Sequence, residues 1–173
     1  YYLFDFKNKE IKPLSEGGSQ RLATFSPTGL QVAFVRDNNL FIHDIRFGSE
    51  RQITRDGQYN HIINGAPDWV YEEEFAFNRA FEWAPDGSAI AYIKFDESDV
   101  REFQMNMFEG QSPALKQNEL YPSNYVYKYP KAGEKNSKVS VYVYDVSDRT
   151  TTKTDTGEEH DVYLARIHWT QDP

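Results

Sequence analysis

Short runs of apolar residues punctuated by polar turns set the rhythm of this chain. Three of them share one form. Tyr2-Leu3-Phe4-Asp5-Phe6, Leu40-Phe41-Ile42-His43-Asp44-Ile45 and Val141-Tyr142-Val143-Tyr144-Asp145-Val146 each read as a strand that ends in Asp followed by an apolar residue. A polar turn and a second short strand follow each time, over residues 11–14, 50–54 and 151–153. A second pattern also repeats. Phe25-Ser26-Pro27-Thr28-Gly29 leads into Val32-Ala33-Phe34-Val35, and Trp83-Ala84-Pro85-Asp86-Gly87 leads into Ile90-Ala91-Tyr92-Ile93, 58 residues later. Proline fixes the turn entry and glycine supplies the positive φ, so each copy predicts a β-hairpin. Asp5, Asp44 and Asp145 recur with the units and read as strand-end residues; Phe34 and Tyr92 recur as core. Ser26, ahead of Pro27, reads as a turn residue.

In order, these patterns give the last half of one unit, two whole units and the start of a fourth, with residues 163–169 as its first strand. Each whole unit is a four-stranded antiparallel meander. Such spacing suits either a sandwich or the blades of a propeller, and the repeated Pro-x-Gly hairpin favours blades. The expected fold is all-β: a partial β-propeller of about two and a half four-stranded antiparallel blades, with a short inserted helix. The expected boundaries are 1–16 for the end of one blade, 19–55 for a blade and 56–79 for an inserted segment. Residues 80–157 make a second blade carrying an inserted arm at 96–138, and 161–173 begin the next. A ring closes with roughly four to eight blades. Sheet edges are therefore expected to be exposed, and the piece alone to self-associate. The chain opens Tyr1-Tyr2-Leu3-Phe4, without an initiator Met or a basic leader, and reads as an internal stretch of a longer protein.

The two insertions are where binding is expected. The first carries Asp68-Trp69-Val70-Tyr71-Glu72-Glu73-Glu74-Phe75. Pro67 breaks what precedes it, Asp68 is a good N-cap, and residues 69–75 predict a short helix. Two readings of the acids stand side by side. A first helical turn favours Glu for its dipole alone, which leaves a solvated acidic face. Alternatively, Trp69, Val70, Tyr71, Phe75 and Phe77 hold the carboxylates against apolar surface, where mutual repulsion and lost hydration make them seek a cation. A primary ammonium has three donors, which two carboxylates can satisfy. A metal fits poorly: His43, His61, His160 and His168 lie at no ligand spacing from the glutamates, and the flanking residues are aromatic rather than Asp, Asn and Gly.

Composition narrows the remaining classes. Net charge is −8, against nucleic acid as a partner. There is no Cys, so neither thiol catalysis nor a Cys-based zinc site is available. With 12 Tyr, 12 Phe and 3 Trp there is ample core material. No apolar run approaches the roughly 20 residues of a spanning helix. The sequence has no G-x-S-x-G elbow, no H-E-x-x-H, no phosphate loop and no dinucleotide fingerprint, and no cofactor is expected.

The segment from Asp68 to Phe75 closely resembles the glutamate motif of the dipeptidyl peptidase IV family of prolyl oligopeptidase-type serine peptidases. Tyr129-Pro130-Lys131-Ala132-Gly133, with Asn136 and Lys138, is similar to a second motif of that family. The Trp83-to-Gly87 hairpin falls where the family has its own. The resemblance implies an internal part of the N-terminal propeller, with the Ser-Asp-His triad on a C-terminal α/β-hydrolase domain absent from this stretch, which alone would be inactive. By motif position Glu73 and Glu74 match the pair that binds the substrate's free N-terminal ammonium, while Glu72 matches a flanking acid without that role. The family's substrate-binding arginine would lie just before Tyr1. The implied activity is serine-type release of N-terminal Xaa-Pro or Xaa-Ala dipeptides from peptides with a free N-terminus. The Tyr/Pro-rich stretch Tyr121 to Gly133 resembles the arm of the family's homodimer contact. Residues 75–79 look more like bacterial members, which implies a periplasmic, cell-surface or secreted parent. A catalytically inactive relative acting as an interaction module is the alternative.

Overall fold

Strands β4 (Gln31–Arg36) and β5 (Asn39–Asp44) are buried along almost their whole length, because their sheet has a neighbour on each face. In the computed structural model, which describes residues 1–108, 121–158 and 161–171, they are the middle strands of the antiparallel sheet β3-β4-β5-β6, with β3 at Arg21–Phe25 and β6 at Ser49–Gln52. Alternation along β4 divides its side chains between two cores. Val32 and Phe34 join Phe41 and Leu14 on one side. Ala33 and Val35 join Leu40, Ile42, Phe81, Trp83, Ile90 and Tyr92 on the other. A strand buried on both faces has no polar side to show, which is why this stretch reads as a nearly unbroken apolar run. Sheets stacked face to face in this way are propeller blades, as the repeats predicted.

On the first face lies a two-stranded sheet of β1 (Tyr2–Asp5) and β2 (Glu10–Pro13). Its outward side chains Phe4, Phe6 and Ile11 are exposed, the open flank that a partial ring must present. On the second face lies the next blade. Its long strand β9 (Ala89–Asp96) pairs with β12 (Lys138–Asp145), and β12 pairs with β13 (Thr151–Lys153).

The repeated residues do the same work in each unit. Gly29 and Gly87 hold φ of 70° and 76°, and each donates its N–H three residues back, to Ser26 O at 2.9 Å and Ala84 O at 2.8 Å. At the strand ends, Asp5 accepts from the backbone N–H of Lys7 and Asn8, Asp44 from Arg46 and Phe47, and Asp145 from Asp148. These are Asx turns, which close the hairpins.

Two details differ from the sequence reading. The first concerns the inserted segment drawn at 56–79. Part of it is blade: β7 (Ile62–Asn64) pairs with β9 at Lys94–Asp96, while β8 (Phe81–Trp83) pairs with the same edge of β9 at Ile90–Tyr92. Together β7 and β8 form one interrupted inner strand. At the break, Gly65 N–H donates to Ile93 O at 3.0 Å and Ile93 N–H to Ala80 O at 2.8 Å, and Ala80 N–H donates back to Gly65 O at 3.1 Å. The excursion is therefore residues 66–79, pinched shut at its neck. Alternating apolar Ile62 and Ile63 beside a polar Asn64 gave too short a pattern to be read as strand. The second difference is that residues 161–171 contain no strand. A strand is stabilised by its ladder, and among the described residues this stretch meets its neighbours mainly through side chains: Trp169 Nε1 donates to Glu82 O at 3.1 Å, and Leu164 N–H donates to the Tyr71 hydroxyl at 2.7 Å.

Gly65 has no substitute at this neck. Its φ is +74°, and a Cβ there would sit 3.3 Å from Leu40 and 3.4 Å from Phe81 and Val35. Gly65→Ala in the full-length protein should cost roughly 2–4 kcal/mol through left-handed strain and overpacking. Chemical denaturation checks this, and an unchanged midpoint would contradict the neck's role.

Candidate functional site

The excursion carries helix α1, Trp69–Glu73, and its start is over-determined. Asp68 sits in extended backbone, with φ −78° and ψ −178°. One carboxylate oxygen accepts from Tyr71 N–H at 3.0 Å, and the other accepts from Ser137 Oγ at 2.6 Å. Both Asp68 and Ser137 are buried. Burial raises the Asp68 pKa, against the lowering effect of those hydrogen bonds. Tyr71 is the anchor of the helix. It is 1% exposed, with its ring edge-on to Phe75, Phe77 and Phe95. Burial pushes its phenol pKa up to about 12, so the hydroxyl stays neutral while accepting from Leu164 N–H. After the helix the chain reverses through Ala76, at φ +50°, and Phe77 N–H closes the turn on Tyr71 O at 3.0 Å. That is a C-terminal stop in which glycine is usual, so Ala76 bears a strain of about 1 kcal/mol.

With Val70 and Tyr71 facing the core, the acids face out. Glu72, Glu73 and Glu74 are all exposed, and among the described residues none of their carboxylates makes a hydrogen bond or an ion pair. The expectation that apolar flanks press these carboxylates towards burial is thus corrected: the helix gives the core its aromatic side and keeps the acids in water.

The second insertion returns beside the first. Its strands β10 (Glu102–Met107) and β11 (Ser123–Lys128) form an antiparallel ribbon, and the part of the arm at 109–120 lies outside the described residues. Three contacts tie it to the residues on either side of β7. The Tyr59 hydroxyl donates to Val126 O at 2.5 Å, the Tyr129 ring lies 4.2 Å from that of Trp69, and Ser137 bonds Asp68. Together they bring the two sequence motifs to one cleft of about 460 Å³, lined by Trp69, Val70, Glu74, Tyr129, Lys131 and Tyr163 among others. Glu74 lines this cleft; Glu73, one position earlier, does not. Residues of the second motif also make contacts within the protein. Lys131 Nζ stands 5.7 Å from the Phe103 ring centroid, Asn136 donates to the Tyr163 hydroxyl at 2.6 Å, and Lys138 pairs with Asp99 at 2.8 Å.

Of the histidines, His43 is buried in β5, His168 faces Glu82 at 3.3 Å, His61 is exposed, and His160 lies outside the described residues. Among the described residues no three His, Asp or Glu gather as metal ligands would.

A stacked set of four-stranded blades, with an acidic helix bulging from one inner strand, defines a propeller domain with a candidate binding rim. The chain belongs to the dipeptidyl peptidase IV family, whose N-terminal-region model matches residues 1–173. It is 47% identical to Porphyromonas gingivalis dipeptidyl peptidase 4, with a TM-score of 0.87 over 96% of this chain and 23% of that one. It is 42% identical over 153 residues to the "Probable dipeptidyl-aminopeptidase B" of Trichophyton verrucosum, covering 84% of this chain and 17% of that protein. The Podospora anserina protein of the same name is 41% identical over 155 residues, covering 85% of this chain and 16% of that protein. A Bacteroides ovatus protein, 20% identical with a TM-score of 0.66, shares the fold. The chain thus spans about a sixth of the curated relatives it matches, and it falls in the family's N-terminal region.

One buried acid escaped the sequence reading. Glu97, at the base of the arm, is 5% exposed. Burial first, then the nearby Asp68 charge, push its pKa up to about 7, against the pull of Lys128. No local pattern marks it, since it merely follows the end of β9. Its folded pKa lies above the unfolded value, so the folded state holds the proton more tightly. The stability this brings is complete below about pH 4.5 and is lost as pH rises through about 7. Asp68 acts in the same direction. In the full-length protein, Glu97→Gln should remove most of the fall in melting temperature between about pH 5 and about pH 8, worth up to about 3 kcal/mol. Parallel curves for variant and parent would show that Glu97 titrates normally.

Proposed function

We propose that this segment is the substrate-gating part of the propeller of a dipeptidyl aminopeptidase, and that Glu73 and Glu74 bind the ammonium of a peptide's free N-terminus. The observation that carries the reading is a contrast within one helix. Its first residues are locked by buried partners at Asp68 and Tyr71, while its two candidate carboxylates stand in water with no ion pair among the described residues. Rigid support under unpaired charges suits groups kept for a ligand, since the helix is ordered before the ligand arrives. The ammonium's three donors match two carboxylates.

Such a clamp acts as a ruler. With the amino terminus held, two residues reach roughly 7 Å of extended chain, at about 3.5 Å each. The bond after the second residue is thereby set before the nucleophile, and Xaa-Pro and Xaa-Ala dipeptides are released. The glutamates supply orientation; acyl transfer by a serine belongs to another domain of the whole protein. The exposed ribbon of the arm, with Met105 and Tyr125 at its surface, supports a homodimer contact there.

Glu73→Gln and Glu74→Gln in the full-length protein should each raise KM for Xaa-Pro arylamides by about ten- to a hundredfold, the loss of a charge-assisted hydrogen bond, with the far-UV spectrum unchanged. Steady-state kinetics checks this, and parental kinetics in both variants would refute the clamp. A folded parent that binds such peptides without cleaving them would identify the inactive relative instead.

A further inference from the structure

We propose that Ser137 is a positioning residue for the glutamate pair, acting through Asp68; the inference rests on the ammonium-clamp reading. A helix of five residues has little stability of its own, so its direction is set by what holds its ends. Here the amino-terminal end is held from another part of the chain. Ser137, 8% exposed, donates its hydroxyl to Asp68, 6% exposed, at 2.6 Å. The other carboxylate oxygen caps Tyr71 N–H, and the Asp68 carbonyl accepts from Glu72 N–H at 3.1 Å. One side chain thus ties the first turn of the helix to the residue just before β12, the strand that resumes the blade after the arm. The neighbours of Ser137 continue the grip: Asn136 donates to the Tyr163 hydroxyl, and the Tyr163 ring lies 5.4 Å from that of Phe75, just beyond the glutamates.

Without the Ser137 hydroxyl, the buried Asp68 carboxylate loses its one side-chain donor among the described residues. Such a group is costly, and it moves towards water or takes up a proton. Either response shifts the first turn, and the carboxylates of Glu73 and Glu74 move with it. Small displacements of groups that orient a substrate cost much in productive binding. Because the reacting groups lie elsewhere, the loss should fall on KM and on recognition of the amine, not on kcat.

The test uses the full-length protein and two probes: a Gly-Pro arylamide with a free amino terminus, and the same compound lacking the amine. Ser137→Ala should raise KM for the first by about five- to fiftyfold with kcat within about threefold, and should change kcat/KM for the second by less than about twofold. Unchanged KM in Ser137→Ala, while Glu73→Gln raises it, overturns the positioning role and leaves the clamp standing. If Glu73→Gln and Glu74→Gln have no effect either, the clamp itself has failed. An equal loss on both probes overturns the inference as well, because it would mark a general structural defect.

Discussion

Three backbone hydrogen bonds at the neck of the excursion, joining Gly65, Ile93 and Ala80, are the constraint on which the rest depends. They let β9 meet one continuous edge even though its partner strand is broken by residues 66–79. The blade therefore folds as if nothing had been inserted, and the excursion stands on a fixed base. Buried Tyr71 and Asp68 then orient the helix on that base, and the helix holds its acids in solvent. Without the neck, the same acidic turn would hang from a loop with no defined direction.

Much of the fold was legible because its signals are local. The Pro-x-Gly hairpins at Pro27–Gly29 and Pro85–Gly87 need particular residues for particular dihedral angles, and the strand-end aspartates need only the next few N–H groups. The helix start was legible for the same reason: a cap at Asp68 is chemistry within four residues. What was hidden is non-local. Ile62 to Asn64 becomes strand because of β9, some thirty residues on, and nothing in its own sequence says so. The serine beneath Asp68 and the burial of Glu97 are set by the return path of the arm, which leaves no mark at positions 97 or 137.

The candidate site shows the same division. The triad of acids drew attention as a sequence, but its environment was misjudged, since neighbours in sequence are not neighbours on a helix. Val70 and Tyr71 are buried and Trp69 is half-buried, while Glu72, Glu73 and Glu74 stand exposed. Proximity of the two family motifs was likewise invisible as spacing. The Trp69–Tyr129 contact and the Ser137–Asp68 bond create it, and through Glu74 they give the cleft its one acidic wall from the first motif.

The closed neck also has a meaning for how such proteins diversify. Because the two ends of the 66–79 stretch meet across a single residue of β9, the blade's ladder does not depend on the length of the stretch, although Ala66 and Tyr71 root it in the core. Its exposed turn at Glu72 to Glu74 is free to change its charge while the surrounding sheet keeps its register. New recognition chemistry can be grafted at this point of the ring without rebuilding the scaffold, provided the glycine at the entrance and the buried Tyr71 are kept.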